Sequence, residues 1–304
     1  MESSPHRSGY VALVGRPNVG KSTLLNALLG QKISIVSRRP QTTRNRVLGI
    51  HNTDDAQVVF LDTPGLHEPR SPLNRRMVKA AMEGLGEADV VVLLIDARIE
   101  TDPEKSAELI GRLERCSRLI LAPNKIDEVD RRALLPLIGA WSEALPHAEA
   151  VVPISALRRD GIERLLEEIH ARLPESPPYF PKDQVTDVSE RFVVAEIIRE
   201  KAFHFLNREL PYSTAVEIEV FDEERRDAGK VRVEARIWVE RDGQKAIVIG
   251  KGGSMVKRIG SAARRDIEQL LGASVFLGLT VGGKEGWTKR EGQVSRLGHF
   301  REDR

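Results

Sequence analysis

Gly15-Arg16-Pro17-Asn18-Val19-Gly20-Lys21-Ser22 has the spacing G-x-x-x-x-G-K-[ST], which suits a polyphosphate. Glycines let such a loop wrap closely enough for backbone N–H groups to face phosphate oxygens, and a helix N-terminus beyond it adds its positive end. Lys21 is spaced to reach the β- and γ-phosphates and the Ser22 hydroxyl to ligate Mg²⁺, with Thr23 continuing into the helix. Asp62-Thr63-Pro64-Gly65 puts a second Mg²⁺ ligand after an apolar run. Its Gly65 lets a backbone N–H approach a γ-phosphate oxygen and move when that oxygen leaves. In Asn124-Lys125-Ile126-Asp127 the aspartate can accept from guanine N1–H and the 2-amino group, donors that adenine does not offer together. Leaving that acceptor unpaired is costly, so the motif selects GTP over ATP. Ser155-Ala156-Leu157 would set the Ala156 N–H near guanine O6.

Each motif must be carried by an element. Apolar runs at Tyr10–Val14, Gln57–Leu61, Val90–Ile95, Arg118–Ala122 and Ala150–Ile154 lack clean alternation, as expected for strands covered on both faces. Helical stretches at 22–29, 73–86, 103–115, 131–145 and 161–172 lie between them, and Ile162, Leu165, Leu166, Ile169 and Leu173 make the clearest stripe. This alternation predicts an α/β domain over residues 1–173, a mostly parallel sheet wrapped by helices. The stretch 174–186 is proline-rich, and neither helix nor sheet is expected to run through it.

Residues 187–304 have a different rhythm. A helix is expected from Glu190 to Arg208, capped by Asp187, followed by two alternating strands through Val216–Val220 and Val231–Val239 around a charged tip at Asp222–Gly229. Then come Ala246–Ile249, the turn Gly250-Lys251-Gly252-Gly253, a helix over 254–271 and a strand near Ser274–Val281, giving the order α-β-β-α-α-β. The helix carries Val256, Ile259, Ala263, Ile267 and Leu270 on one face, with Lys257, Arg258, Arg264 and Arg265 elsewhere. Trp287 is expected to be a core plug rather than a base-stacking platform.

Charge and composition limit the alternatives. The net charge of +2 excludes a bulk polycation, yet residues 245–304 hold 12 Lys and Arg against 6 Asp and Glu, a local basic segment suited to RNA. No apolar run approaches the ~20 residues of a membrane span, and the N-terminus lacks the apolar core of a secretion signal. Cys116 is the single cysteine, so the chain has no internal disulfide and reads as cytoplasmic.

Four nucleotide motifs in this order resemble the translation-factor-related GTPases, with GTP or GDP and Mg²⁺ as the implied ligands. By that resemblance Gln41-Thr42-Thr43-Arg44 is the switch segment, one of whose threonines completes the Mg²⁺ shell when γ-phosphate is present. Thr43 is favoured and Thr42 stays open. Leu66, then His67, follow Gly65 where Ras-like GTPases use a glutamine to orient water, so intrinsic turnover should be slow. GTPases with this replacement resemble one another in a phosphate-loop asparagine that helps bind K⁺, and Asn18 matches it.

Gly250-Lys251-Gly252-Gly253 resembles the nucleotide-clamping loop of KH domains, which adds Lys257 and Arg258 as RNA-binding candidates and a type II KH fold as the expectation. From about residue 8 to 300, including Tyr212-Ser213-Thr214-Ala215-Val216, the chain is similar to a family of bacterial small-subunit-assembly GTPases. That family implies GTP-gated binding of the 16S rRNA 3′ end, release after hydrolysis, and peripheral contact with the inner membrane. The alternative is a signalling or tRNA-modifying GTPase whose C-terminal domain binds protein. One departure is Leu279-Thr280-Val281-Gly282-Gly283-Lys284, where the family alternates apolar and basic residues.

Overall fold

Runs that bury every residue, such as Ala56–Asp62 and Val90–Asp96, belong to strands covered on both faces. In the computed structural model, which describes residues 6–37, 43–44, 46–63, 65, 72–207 and 209–297, they lie inside a six-stranded sheet. Its strands are β1 (Arg7–Val14), β2 (Val47–Asn52), β3 (Ala56–Asp62), β4 (Val90–Asp96), β5 (Leu119–Asn124) and β6 (Ala150–Val151), in the order β2-β3-β1-β4-β5-β6. Only β2 runs antiparallel to its neighbour. The parallel set brings the ends of β1, β3, β4 and β5 to one edge, where α/β sheets bind ligands. Pro64, Thr42, Leu66 and His67, singled out above, lie outside the described residues.

The helices of this region are α1 (Lys21–Leu29), α2 (Pro72–Gly86), α3 (Ala107–Leu113), α4 (Arg131–Ala144) and α5 (Ile162–Arg172). The α5 stripe buries Ile162, Leu165, Ile169 and the following Leu173, with Leu166 at its margin. Trp141 of α4 is fully buried, and its Nε1 donates to the Glu100 carbonyl at 2.8 Å. β6 is shorter than the expected Ala150–Ile154, but Val152 N and Ile154 N still donate to Leu121 and Pro123 carbonyls, so the pairing runs on to the Ser155 loop.

The chain divides into two compact units: the described residues within 1–34, 46–68 and 77–187, and those within 35–45, 69–76 and 188–304. The proline-rich stretch groups with the first unit, along β1 and β2. Ser8 N donates to the Pro174 carbonyl and Ile50 N to the Val185 carbonyl, and Tyr179 stacks on Tyr10 at 5.4 Å. Gln57 is buried beneath it, accepting from Tyr179 N and Phe180 N and donating to the Phe180 carbonyl.

The second unit contains α6 (Glu190–Phe205), β7 (Ala215–Asp222), β8 (Lys230–Val239), α7 (Asp242–Ile249), α8 (Ser254–Leu271), β9 (Ser274–Gly283) and α9 (Glu291–Leu297). Through β9 this is the expected α-β-β-α-α-β order. β8 alternates strictly, burying Val231, Val233, Ala235, Ile237 and Val239 against α6 and α8. On α8 the buried face is Ile259, Ala263, Ile267 and Leu271, so Val256 and Leu270 sit at its margin. The expected cap is corrected: Ser189, not Asp187, caps α6 by accepting from Phe192 N. Asp187 accepts from Leu48 N of β2 instead, because the end of the proline-rich stretch lies along that strand. Among the described residues no helix is long and apolar enough to cross a membrane.

Candidate functional site

Between β1 and α1 the loop Gly15–Gly20 turns through left-handed backbone at Asn18 (φ +64°) and Gly20 (φ +111°). A side chain at Gly20 would meet the Asn124 amide nitrogen, so the residue has both a conformational and a steric reason to be glycine. Arg16 and Asn18 are exposed, Pro17 is half-buried and Val19 is buried. Lys21, at the first turn of α1, is buried, and its ammonium donates to the Gly15 and Arg16 carbonyls at 3.0 Å each. Burial pulls its pKa down to about 8, against the opposing charges of Asp62 and Glu100.

Ser22 Oγ donates to Asp62 Oδ2 at 2.8 Å, uniting the loop helix with the end of β3. Asp62 is fully buried, and its Oδ1 has no hydrogen-bond partner among the described residues. Burial raises its pKa, opposed by the Ser22 hydrogen bond and the Lys21 charge. A buried carboxylate with one oxygen bonded to a hydroxyl and one unmatched fits a hard cation, and Ser22 and Asp62 are the residues that would hold Mg²⁺ here. Gly65 approaches this loop: a Cβ there would stand 2.9 Å from Pro17 Cα. Thr63 does not face it, since its buried hydroxyl donates to the Leu13 carbonyl at 3.0 Å and ties β3 to β1. Thr43 groups with the second unit.

The guanine-selective residues are knitted to the same loop. Asn124 donates to the Val19 carbonyl at 2.8 Å and accepts from Ala156 N at 3.0 Å, holding two loops in register. Lys125 donates to the Asn18 carbonyl at 2.6 Å. Asp127 is exposed at the tip, oriented by the Ser155 hydroxyl at 2.6 Å, with Arg158 at 3.9 Å. Ser155 and Ala156 are buried, whereas Leu157 is 71% exposed.

In the second unit Gly250 ends α7 at φ +74° and Gly253 opens α8 at φ +79°. A side chain at Gly250 would stand 2.7 Å from Met255 N, so the turn between the two helices needs a glycine there. Lys251, Gly252 and Lys257 are exposed, as are Ile247 and Ile249 at the end of α7. Arg258 is also exposed, and its guanidinium lies over the Phe205 ring at 4.2 Å. Gly283-Lys284-Glu285-Gly286 has the same G-x-x-G spacing, but it follows the end of β9 and does not lie between two α-helices. Trp287 is fully buried and donates to the Ser213 carbonyl at 2.9 Å, a core plug as expected.

Two residues of the first site escaped the sequence reading. Asp96 ends β4 and is bound by both Arg98 and Lys125, and buried Glu100 accepts from Asp96 N at 3.0 Å. Asp96 carried a signal, since it closes the strand between the phosphate-loop and guanine-loop strands. Glu100 follows in irregular chain and carried none.

A phosphate loop, a carboxylate open to a metal and a guanine-selective loop, followed by a helix–GXXG–helix turn on a three-stranded sheet, define a GTPase with a KH domain. The family model described as 50S ribosome-binding GTPase matches residues 10–125, and that described as KH domain matches residues 209–287. GTPase Era of Geobacter metallireducens is 49% identical over 98% of this chain and 100% of its own length. GTPase Era of Xanthomonas oryzae pv. oryzae is 48% identical over 98% of each. The crystal structure of Era in complex with MgGDPNP and nucleotides 1506–1542 of 16S ribosomal RNA superposes with a TM-score of 0.91, at 40% identity, over 97% of this chain and 99% of that one. The chain belongs to the Era family of GTPases.

Proposed function

We propose that this GTPase is a switch that binds the 3′ end of 16S rRNA and assists small-subunit maturation, with the GTP state favouring RNA and hydrolysis to GDP resetting it. The observation that carries the reading is that one chain holds both a formed phosphate loop and a Gly250–Gly253 turn whose Lys251 and Gly252 are exposed, with exposed Lys257 beyond it. The RNA named with the Era crystal structure supplies the substrate class. The same reading places the protein in the cytoplasm with peripheral contact at the inner membrane.

In the catalytic step water attacks the γ-phosphorus, an oxygen–phosphorus bond forms, and the bond to the β-phosphate oxygen breaks to release GDP. Lys21 exchanges its bonds to the Gly15 and Arg16 carbonyls for phosphate oxygens. Amides of the Arg16–Thr23 loop and of Gly65 hold the phosphates, and Asn124, Lys125, Asp127 and Ser155–Leu157 hold the base. Ser22, Asp62 and Thr43 would hold Mg²⁺, whose chemistry when bound is neutralisation of the developing phosphate charge. Exposed Asn18 is the residue for K⁺ stimulation, which turnover in K⁺ against Na⁺, in wild type and Asn18→Ala, will reveal.

The test is binding of a single-stranded RNA matching the 16S 3′ end, with a non-hydrolysable GTP analogue and with GDP, over a series of salt concentrations. Tighter binding with the analogue, lost in Lys251→Asp/Gly252→Asp, is the expected result. Equal binding in both nucleotide states would refute the switch, and indifference to the double substitution would return the C-terminal domain to protein binding.

A further inference from the structure

Residues 35–45, between α1 and β2, belong by sequence to the nucleotide-binding region, yet those of them that the structure describes group with the second unit. Polar bonds secure it there at two points. Val36 N donates to Glu200 Oε2 at 3.0 Å. Glu200 in turn pairs with Lys201 at 2.9 Å, and Lys201 with Asp266 of α8, the helix that the Gly250–Gly253 turn opens, at 2.5 Å.

The second point is Arg44, which directly follows Thr43 and is only 3% exposed. Its Nη1 donates to the Thr214 carbonyl at 2.9 Å, and its Nη2 to the Tyr212 carbonyl at 2.9 Å and the Pro211 carbonyl at 3.4 Å. The guanidinium carbon lies 5.8 Å from the ring centres of both Phe203 and Trp287. Those carbonyls belong to the single turn that precedes β7, and Trp287 braces the same turn through Ser213. A planar fork can satisfy several carbonyls at once while stacking on aromatic rings, and a lysine ammonium cannot. Once seated, such a buried cation leaves its partners only at high cost.

We propose that Arg44 is a positioning residue that couples the nucleotide to the RNA: it stays seated in both nucleotide states and passes any displacement of Thr43 to the turn 211–213 and to β7. The inference rests on the reading above, in which Thr43 joins the Mg²⁺ shell with GTP and RNA affinity follows the nucleotide. Neighbouring Cα atoms are held about 3.8 Å apart, so Thr43 cannot shift far without pulling on the seated guanidinium. By linkage, RNA must then change affinity for the GTP analogue by the same factor that the analogue changes affinity for RNA.

The experiment uses the full chain and a single-stranded RNA matching the 16S 3′ end. RNA affinity is measured with a non-hydrolysable GTP analogue and with GDP, in wild type, Arg44→Lys and Arg44→Ala, and analogue affinity is measured with and without RNA. In wild type the two states should differ by about tenfold, a usual size for coupling between sites. In Arg44→Lys both the ratio and its reciprocal should fall toward one while the analogue still binds in the absence of RNA. Retention of the wild-type ratio by a folded Arg44→Lys overturns the inference and leaves the switch intact. Absence of any ratio in wild type overturns the switch and this inference together. Arg44→Ala should behave as Arg44→Lys does, and if it fails to fold, the lysine variant decides. A merely structural role would weaken RNA binding equally in both states and leave the ratio unchanged, which also overturns the inference.

Discussion

The Lys125 ammonium lies 2.5 Å from Asp96 Oδ2 and 2.6 Å from the Asn18 carbonyl, so one side chain joins the ends of β4 and β5 to the phosphate loop. Asp96 is bound from its other side by Arg98. Burial pushes its carboxyl up, but hydrogen bonds from Arg98 and Lys125 outweigh that and hold it below the usual carboxylate range. Asp96→Asn keeps the shape and removes the charge that steadies Lys125. Hydrogen bonds to charged groups contribute about 1.5–3 kcal/mol. GDP affinity in a fluorescent-nucleotide titration should therefore fall about ten- to a hundredfold. Unchanged affinity would show that Lys125 is positioned without Asp96.

The pKa of Lys21 makes nucleotide binding pH-dependent. In the nucleotide-free protein Lys21 titrates at about 8, and bound phosphate will raise that value. Below the free value the ammonium is already present. Above it, binding must first restore a proton, so affinity should fall by up to about tenfold per pH unit. The folding sign is opposite: the folded value lies below the 10.5 usual for a lysine, so deprotonation at high pH favours the nucleotide-free fold. Titrations between pH 7 and 9.5 check this, and a flat profile would contradict it.

Asp62 presents the reverse case. Burial raises its folded pKa, so in the absence of metal its ionisation destabilises the fold as pH rises through that value. Asp62→Asn keeps the shape and removes the buried charge, so it should stabilise the metal-free protein at neutral pH. The same substitution should abolish the stabilisation that Mg²⁺ with GDP gives wild type. Thermal melts with and without chelator measure both effects, and a destabilised variant would count against a metal role for this oxygen.

The unusual last strand has a physical explanation. Gly282 pairs with Trp238 across β8 and β9, and a Cβ on Gly282 would stand 2.6 Å from the indole Cζ3. Trp238 donates to Glu217 at 2.8 Å, with Arg236 and Lys284 against its ring at 5.2 and 5.7 Å. Gly282→Ala should therefore cost about 1–3 kcal/mol by crowding the indole. Combining it with Trp238→Ala should recover most of that, a non-additivity that a double-mutant cycle in urea will measure.

The nucleotide motifs and their strands were readable because phosphate and guanine chemistry demand particular residues at short spacing. β2 was not: Val47-Leu48-Gly49-Ile50-His51-Asn52 mixes glycine and polar residues with apolar ones, and it becomes a strand by pairing with β3 while Leu25 and Leu29 of α1 fill the space over Gly49. Asp187 and Ser189 are both good caps, and only the contact of Asp187 with Leu48 decides between them. The socket around Arg44 draws on residues some 170 positions away, beyond the reach of local pattern.

β2 is an outer strand of its sheet, and its exposed side is occupied by the end of the proline-rich stretch: Ile50 N bonds the Val185 carbonyl, and Thr186 Oγ1 bonds the Leu48 carbonyl at 2.7 Å. An unpaired strand edge is a template for association with other chains. The segment that reads as a spacer therefore serves as a guard, and the smallest piece that gene fusion could transplant without inviting strand-to-strand aggregation is one that carries its tail through Asp187.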